Sequence, residues 1–199
     1  MAWCDGDAAA GRSRQNCRLM QFTELAIPGV WLIEPEVHAD SRGAFRRHFC
    51  AREFAAHGIA ATMAQGNISE NPAVATLRGF HYQLKPHQEA KTISCLSGAI
   101  YDIVADLRST SPTFMQWVAV EISARDRKSL HVPAGCANAW LTMEPNTTVH
   151  YYMSEFYAAG ADRGIRYDDP AFRFRWPAEP KVISEKDLAF PPFDPRSVS

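Results

Sequence analysis

Seven residues, Leu77-Arg78-Gly79-Phe80-His81-Tyr82-Gln83, set a histidine inside a run that alternates apolar and polar side chains. Histidine is the side chain whose unperturbed pKa lies near neutrality, so it can take up and release a proton under ordinary conditions. On a strand, residues two apart share a face; Phe80 and Tyr82 then point one way while His81 and Gln83 point the other. Arg78 precedes the histidine and Lys91 follows it by ten residues. An imidazole between two cationic side chains suits a pocket for an anionic substrate in which a base moves a proton. The competing reading of the heptapeptide alone is a histidine satisfied within a barrel wall.

The elements that must hold these groups are strands. Thirteen prolines and eleven glycines break the chain into short strand-like runs, which favours a barrel or sandwich over helices. The alternation predicts strands over 30–37, 44–49, 62–67, 75–83, 91–96, 99–107, 116–122, 129–132, 137–142 and 147–156. A helix is predicted over 51–58, alanine-rich, apolar at Phe54 and closed by Gly58. A weaker helical signal lies at 184–188, where Ser184 and Asp187 have the spacing of a capping box. The stretch after Pro170, with Phe172, Phe174 and Trp176, is expected to pack against the barrel.

Composition narrows the function classes. A 199-residue chain with 46% hydrophobic and 22% charged residues is long enough for one substantial core. A net charge of -1 supplies no basic field, so nucleic acid is a poor partner, and no apolar run has the length of a membrane span. The five cysteines are odd in number and form no CxxC pair, which fits a reducing cytoplasm better than a disulfide framework. Residues 1–19 lack periodicity and a signal-type apolar stretch; they are expected to be a disordered or loosely attached tail, or to precede a start at Met20, ahead of a single domain over 20–199.

Strands in this order, with the Pro133-Ala134-Gly135 turn, resemble the cupin superfamily: an all-β, double-stranded β-helix or jelly-roll barrel with a few short helices. Metal-binding cupins carry two histidines on an early strand, a glutamate, and a histidine three residues beyond the turn glycine. Here those positions hold His81, Gln83, Glu89 and Asn138. Two neutral amides replace imidazoles, so neither a metal nor another cofactor is expected.

Further motifs sharpen the resemblance. The heptapeptide with Lys91, then Tyr101-Asp102-Ile103-Val104-Ala105-Asp106-Leu107-Arg108, Ser111-Pro112-Thr113-Phe114, Val132-Pro133-Ala134-Gly135 and Tyr167-Asp168-Asp169-Pro170 ahead of Trp176-Pro177, resemble the dTDP-4-dehydrorhamnose 3,5-epimerase family from about Met20 to about Asp194. The resemblance implies an isomerase that inverts C3, C5 or both in a dTDP-4-keto-6-deoxyhexose, by proton abstraction to an enolate and reprotonation. It implies His81 as base, Asp169 as the acid orienting the imidazole with Asp102 as second candidate, Lys91 beside the enolate oxygen, and Tyr151 as proton donor on the opposite face. It places Arg42 and Arg78 at the diphosphate, Gln65 and Asn67 at the pyrimidine, and Phe45 and Tyr157 near the base. It further implies a cytoplasmic homodimer in which N-terminal strands, here 25–36, pair with the partner's sheet.

Two positions depart from the family pattern: Asn138 stands where a histidine is usual, and Arg47 where many members have glutamate. An amide does not titrate near neutrality and an arginine reverses a carboxylate's charge. Both open the alternatives of a single-centre epimerase on a different nucleotide 4-keto sugar and of a non-catalytic sugar-nucleotide binding module.

Overall fold

A computed structural model describes residues 20–198 with the exception of residue 61. The tail expected over 1–19 lies outside the described residues. In chain order the strands are β1 (Gln21–Glu24), β2 (Trp31–Glu34), β3 (Val37–Asp40) and β4 (Gly43–Arg46), followed by helix α1 (Ala51–Ala56). Then come β5 (Gln65–Asn71), β6 (Leu77–Gln83), β7 (Lys91–Ser97), β8 (Ala99–Asp106), β9 (Trp117–Ser123), β10 (Ser129–Val132), β11 (Cys136–Thr142), β12 (Thr147–Met153) and β13 (Asp162–Gly164). Helix α2 (Glu185–Leu188) and a 3-10 turn (Pro195–Val198) complete the order.

Two antiparallel sheets result. One runs β1-β2-β10-β7-β12-β5, the other β13-β6-β11-β8-β9, and the β3–β4 hairpin belongs to neither. Strands distant in sequence lie side by side, as β10 does between β2 and β7, so the chain alternates between sheets in the manner of a jelly roll. This is the cupin-type barrel expected from the strand pattern.

Side-chain alternation decides what each sheet shows the other. Ile93, Cys95, Leu130, Val132 and Val149 of the larger sheet meet Ile100, Val104, Ile122, Cys136 and Trp140 of the smaller one. The intervening residues Ile103 and Ala105 of β8, Ala137 and Ala139 of β11, and Phe80 and Tyr82 of β6 face outward. They are covered by Ile165, Phe172, Phe174 and Trp176, so the aromatic C-terminal segment does pack on the barrel. The Trp117 and Trp176 indoles anchor it by donating to the carbonyls of Phe172 and Tyr167, each at 3.0 Å. With the outward faces sealed, the polar members of the inward set are confined to the barrel interior: Lys91, Asp102, Asn138 and Tyr151.

One polar group outside that interior reports on stability. His131 on β10 is buried against Phe54 of α1, with Nδ1 3.0 Å from the Thr92 hydroxyl. Burial pushes its pKa down to about 4. The folded state therefore keeps this imidazole neutral while the unfolded chain protonates near pH 6.5, so its contribution is complete above pH 6.5 and is lost as pH falls toward 4. Denaturant titrations are expected to show His131→Gln losing about 2 kcal/mol less stability than the parent between pH 7 and 5.

Candidate active site

Strand β6 delivers the histidine because of its neighbours. Phe80 and Tyr82 are held in the outer aromatic layer, which turns His81 to the other side, opposite Asn138 of β11 and Gly164 of β13. Gly79 makes the approach possible. It has φ +110°, and a Cβ there would lie 2.5 Å from the Asn138 carbonyl oxygen and 2.8 Å from the Ala139 Cα. Neither the angle nor the space admits a side chain, and β11 is irregular at the same place, between Asn138 and Trp140.

The His81 imidazole is paired with Asp187. Nε2 lies 2.7 Å from Asp187 Oδ1, while Asp187 Oδ2 accepts from the Gly79 backbone N–H at 3.3 Å. Helix α2 sets this carboxylate: Ser184 caps it, its hydroxyl accepting from the Asp187 N–H at 3.1 Å, which leaves the Asp187 side chain free to turn toward β6. Burial alone would raise the Asp187 carboxyl. The bonds from His81, Gly79 and Ser184 outweigh it and hold the group below the usual carboxylate range, hence ionised.

The two carboxylates expected to partner the imidazole do other work. Asp169 is buried, with Oδ1 accepting from Ala171 N–H at 2.9 Å and Oδ2 from Phe193 N–H at 2.8 Å. It ties a turn to the C-terminal segment. Asp102 lies wholly inside the barrel, its oxygens accepting from Asn138 Nδ2 at 3.4 and 3.2 Å. Burial pushes its carboxyl well above the ordinary range, with Asn138 and Lys91 opposing. The carboxylate that pairs with His81 is therefore Asp187 and not the expected Asp169, which is a backbone anchor. Sequence reasoning singled out Asp187 only for its capping-box spacing; the same spacing frees its carboxylate.

Lys91 fills the centre of the interior. Its ammonium reaches the His81 carbonyl oxygen at 2.9 Å, Asn138 Oδ1 at 3.1 Å and Glu89 Oε1 at 3.1 Å. These contacts span the cupin ligand positions, so a covalently tethered cation stands among groups that a metal would need. Gln83, the remaining position, is turned away: its amide donates to the carbonyls of His87 and Phe156 and accepts from Ala158 N–H. Among the described residues no cluster of three or more His, Cys, Asp or Glu side chains has the placement of a metal site.

Tyr151 is half-buried on the same inward face, against Trp140, and opposite Asn67 on β5. Burial raises its phenol pKa; the Arg78 charge lowers it and that of Glu89 raises it. Arg78 Nε donates to Asn71 Oδ1 at 2.7 Å, and Gln65 Oε1 accepts from Tyr157 N–H at 2.5 Å. The Tyr157 hydroxyl and the Lys186 ammonium both meet Asp162; of these three residues, the sequence reading singled out only Tyr157.

Two expected binding residues lie elsewhere. Arg42 pairs with Asp40 at the tip of the β3–β4 hairpin, its side chain 73% exposed. Phe45, 55% exposed, lines a groove of about 390 Å³ with Arg46, His48, Leu96 and His150. His150 neighbours the inward Tyr151 and so faces away from the interior. Within one chain, Arg42 and Phe45 sit on the β3–β4 hairpin, outside the two sheets that carry His81, Lys91 and Tyr151. Arg47, the charge-reversed position, binds Glu53 of α1 at 2.7 Å.

A cupin-type barrel that holds an imidazole–carboxylate pair, an ammonium and a phenol carries the groups that acid–base transfer between side chains requires. Residues 24–195 match the family described as dTDP-4-dehydrorhamnose 3,5-epimerase, and this chain belongs to it. The Sinorhizobium fredii enzyme of that name is 37% identical over 173 residues, covering 86% of this chain and 89% of the relative. The Bacillus anthracis structure with TDP and pyrophosphate bound is 34% identical, with a TM-score of 0.85, covering 87% of this chain and 99% of that one. A 3'-monoepimerase from Streptomyces bikiniensis, solved with dTDP-quinovose, is 32% identical, with a TM-score of 0.78 over 84% of this chain and 85% of that one.

Proposed function

We propose that this chain epimerises a dTDP-linked 4-keto-6-deoxyhexose at C3, C5 or both, without a cofactor. The observation that carries the reading is the 2.7 Å His81–Asp187 bond, with Lys91 fixed on the carbonyl of the same histidine. Both C–H bonds flanking a 4-keto group are acidified by the carbonyl. The second nitrogen of His81 takes the proton, the C–H electron pair moves into the enolate, and the imidazolium is stabilised by the Asp187 carboxylate. Negative charge gathers on the keto oxygen, where Lys91 supplies a preorganised cation. Tyr151 returns a proton to carbon from the opposite face, and solvent exchange restores His81 and the phenol.

Arg78, Asn67 and Gln65 are the groups assigned to the nucleotide in this reading; the TDP bound to the Bacillus anthracis relative supports a thymidine diphosphate ligand. Inversion at one centre alone is favoured by one feature, Asn138, which carries its amide to Lys91 and Asp102 where the family pattern has a titratable imidazole. The monoepimerase relative supports the same possibility.

Arg42 and Phe45, stranded on a hairpin outside both sheets, support a homodimer in which N-terminal strands are exchanged and this hairpin serves the partner's site. The free thiols of Cys50, Cys95 and Cys136 support a cytoplasmic location; no helix of the described residues is long and apolar enough to cross a membrane.

Incubation with the 4-keto sugar in heavy water, followed by NMR, is expected to show deuterium entering C3, C5 or both. Uptake at one carbon only selects the single-centre reaction. A folded protein that binds the sugar nucleotide and promotes no exchange at either carbon is a binding module.

A further inference from the structure

Glu89 carries a carboxylate oxygen that the reaction above does not use. Its side chain is 4% exposed, and Oε1 is committed to the Lys91 ammonium at 3.1 Å. Oε2 is buried and has no hydrogen-bond partner among the described residues. An ionised carboxylate oxygen sealed from water without a donor is among the more expensive arrangements in a protein interior. It lies close enough to Tyr151 for its charge to act on the phenol. Two other unpartnered buried polar atoms border Tyr151: Trp140 Nε1 beside it and Asn67 Nδ2 on the strand opposite. Both of those are donors, whereas Glu89 is the acceptor.

The chemistry of the ligand selects what can satisfy that acceptor. A diphosphate and a keto oxygen are acceptors only and would be repelled. The hexose carbons beside the 4-keto group carry a hydroxyl at C3 and a methyl at C5, so the donor nearest an oxygen held by Lys91 is the C3 hydroxyl. We infer that Glu89 Oε2 accepts a hydrogen bond from the C3 hydroxyl of the bound 4-keto sugar and thereby selects hydroxylated hexoses over 3-deoxy ones. The inference rests on the epimerase reading. It gives Glu89 a specificity role, separate from its hold on Lys91, and the two are distinguished by substrate and not by rate alone.

The experiment follows deuterium uptake at whichever of C3 and C5 exchanges in the parent sugar, since both carbons carry hydrogens acidified by the 4-keto group in dTDP-4-keto-6-deoxyhexose and in its 3-deoxy analogue. The intact protein is expected to favour the hydroxylated sugar about 10- to 100-fold in kcat/KM, the range for a hydrogen bond to a charged acceptor. Glu89→Gln keeps an acceptor for Lys91 but turns an amide donor to the sugar, so the preference should shrink to about severalfold or less. Glu89→Asp withdraws the oxygen by one methylene and should shrink it likewise, which keeps the comparison available if the amide variant does not fold. Equal handling of the two sugars by the intact protein overturns the inference. So does a variant that slows both sugars by one factor, because that is the signature of a residue that only positions Lys91. Absence of exchange at C3 and C5 in the parent sugar removes the epimerase reading first, and this inference with it.

Discussion

Asp187→Asn is expected to slow C–H exchange about 10³- to 10⁴-fold, whereas Asp169→Asn should leave the exchange rate within severalfold of the parent. The two aspartates separate cleanly on geometry. Asp187 contacts the imidazole at 2.7 Å and is held ionised by its partners, so the amide replaces an acceptor and counter-ion with a group whose nitrogen must face either His81 or Gly79. The wrong ring tautomer is favoured and the imidazolium formed on proton abstraction loses its charge partner. Asp169 accepts from two backbone N–H groups, and an asparagine can accept with only one oxygen. Its substitution should therefore appear as about 1–3 kcal/mol of lost stability in denaturant titrations. The opposite pattern, with Asp169→Asn inactive and Asp187→Asn competent, would return the dyad to Asp169.

Tyr151→Phe is expected to cut completed inversion about 10²- to 10⁴-fold while deuterium exchange on the His81 face stays within tenfold of the parent. The ring keeps its packing against Trp140, so the variant loses little except the hydroxyl. Burial raises the phenol pKa, which keeps it protonated through neutral pH and fits it to donate. Without it the enolate can only recover a proton from the side that lost one, and the sugar leaves labelled but with its configuration retained. Proton couplings in the recovered sugar read configuration, and deuterium content reads exchange. Inversion at the parent rate in Tyr151→Phe would assign the donor elsewhere, with Tyr152 excluded by its outward face opposite Gly66.

How much of this was legible depends on the range of the interaction. Period-two alternation located β6 to β12 within a few residues, because burying one face of a strand leaves a local signature. The run over 30–37 divides into β2 and β3 around Pro35, which has no N–H for a ladder. Strands β1 and β13, four and three residues long, lie outside the predicted runs. Helix α1 ends as expected, with Gly58 at φ +72°. The site was harder, since its contacts join residues far apart. His81 and Lys91 stood out by type, yet the carboxylate that partners the imidazole lies 106 positions away. Nothing in the local pattern ranks Asp169, Asp102 and Asp187 against one another. The outer aromatic layer decides it, by holding residues 165–176 flat on the smaller sheet and bringing α2 back over β6.

Because the carboxylate rides on α2 at residues 185–188, the imidazole is complete only when almost all of the chain has been synthesised. A ribosome that has made every strand through β13 has produced His81 without its carboxylate, and Phe80 and Tyr82 without their aromatic cover. Premature termination before α2, or clipping by a protease in the same stretch, would therefore leave His81 without its counter-ion.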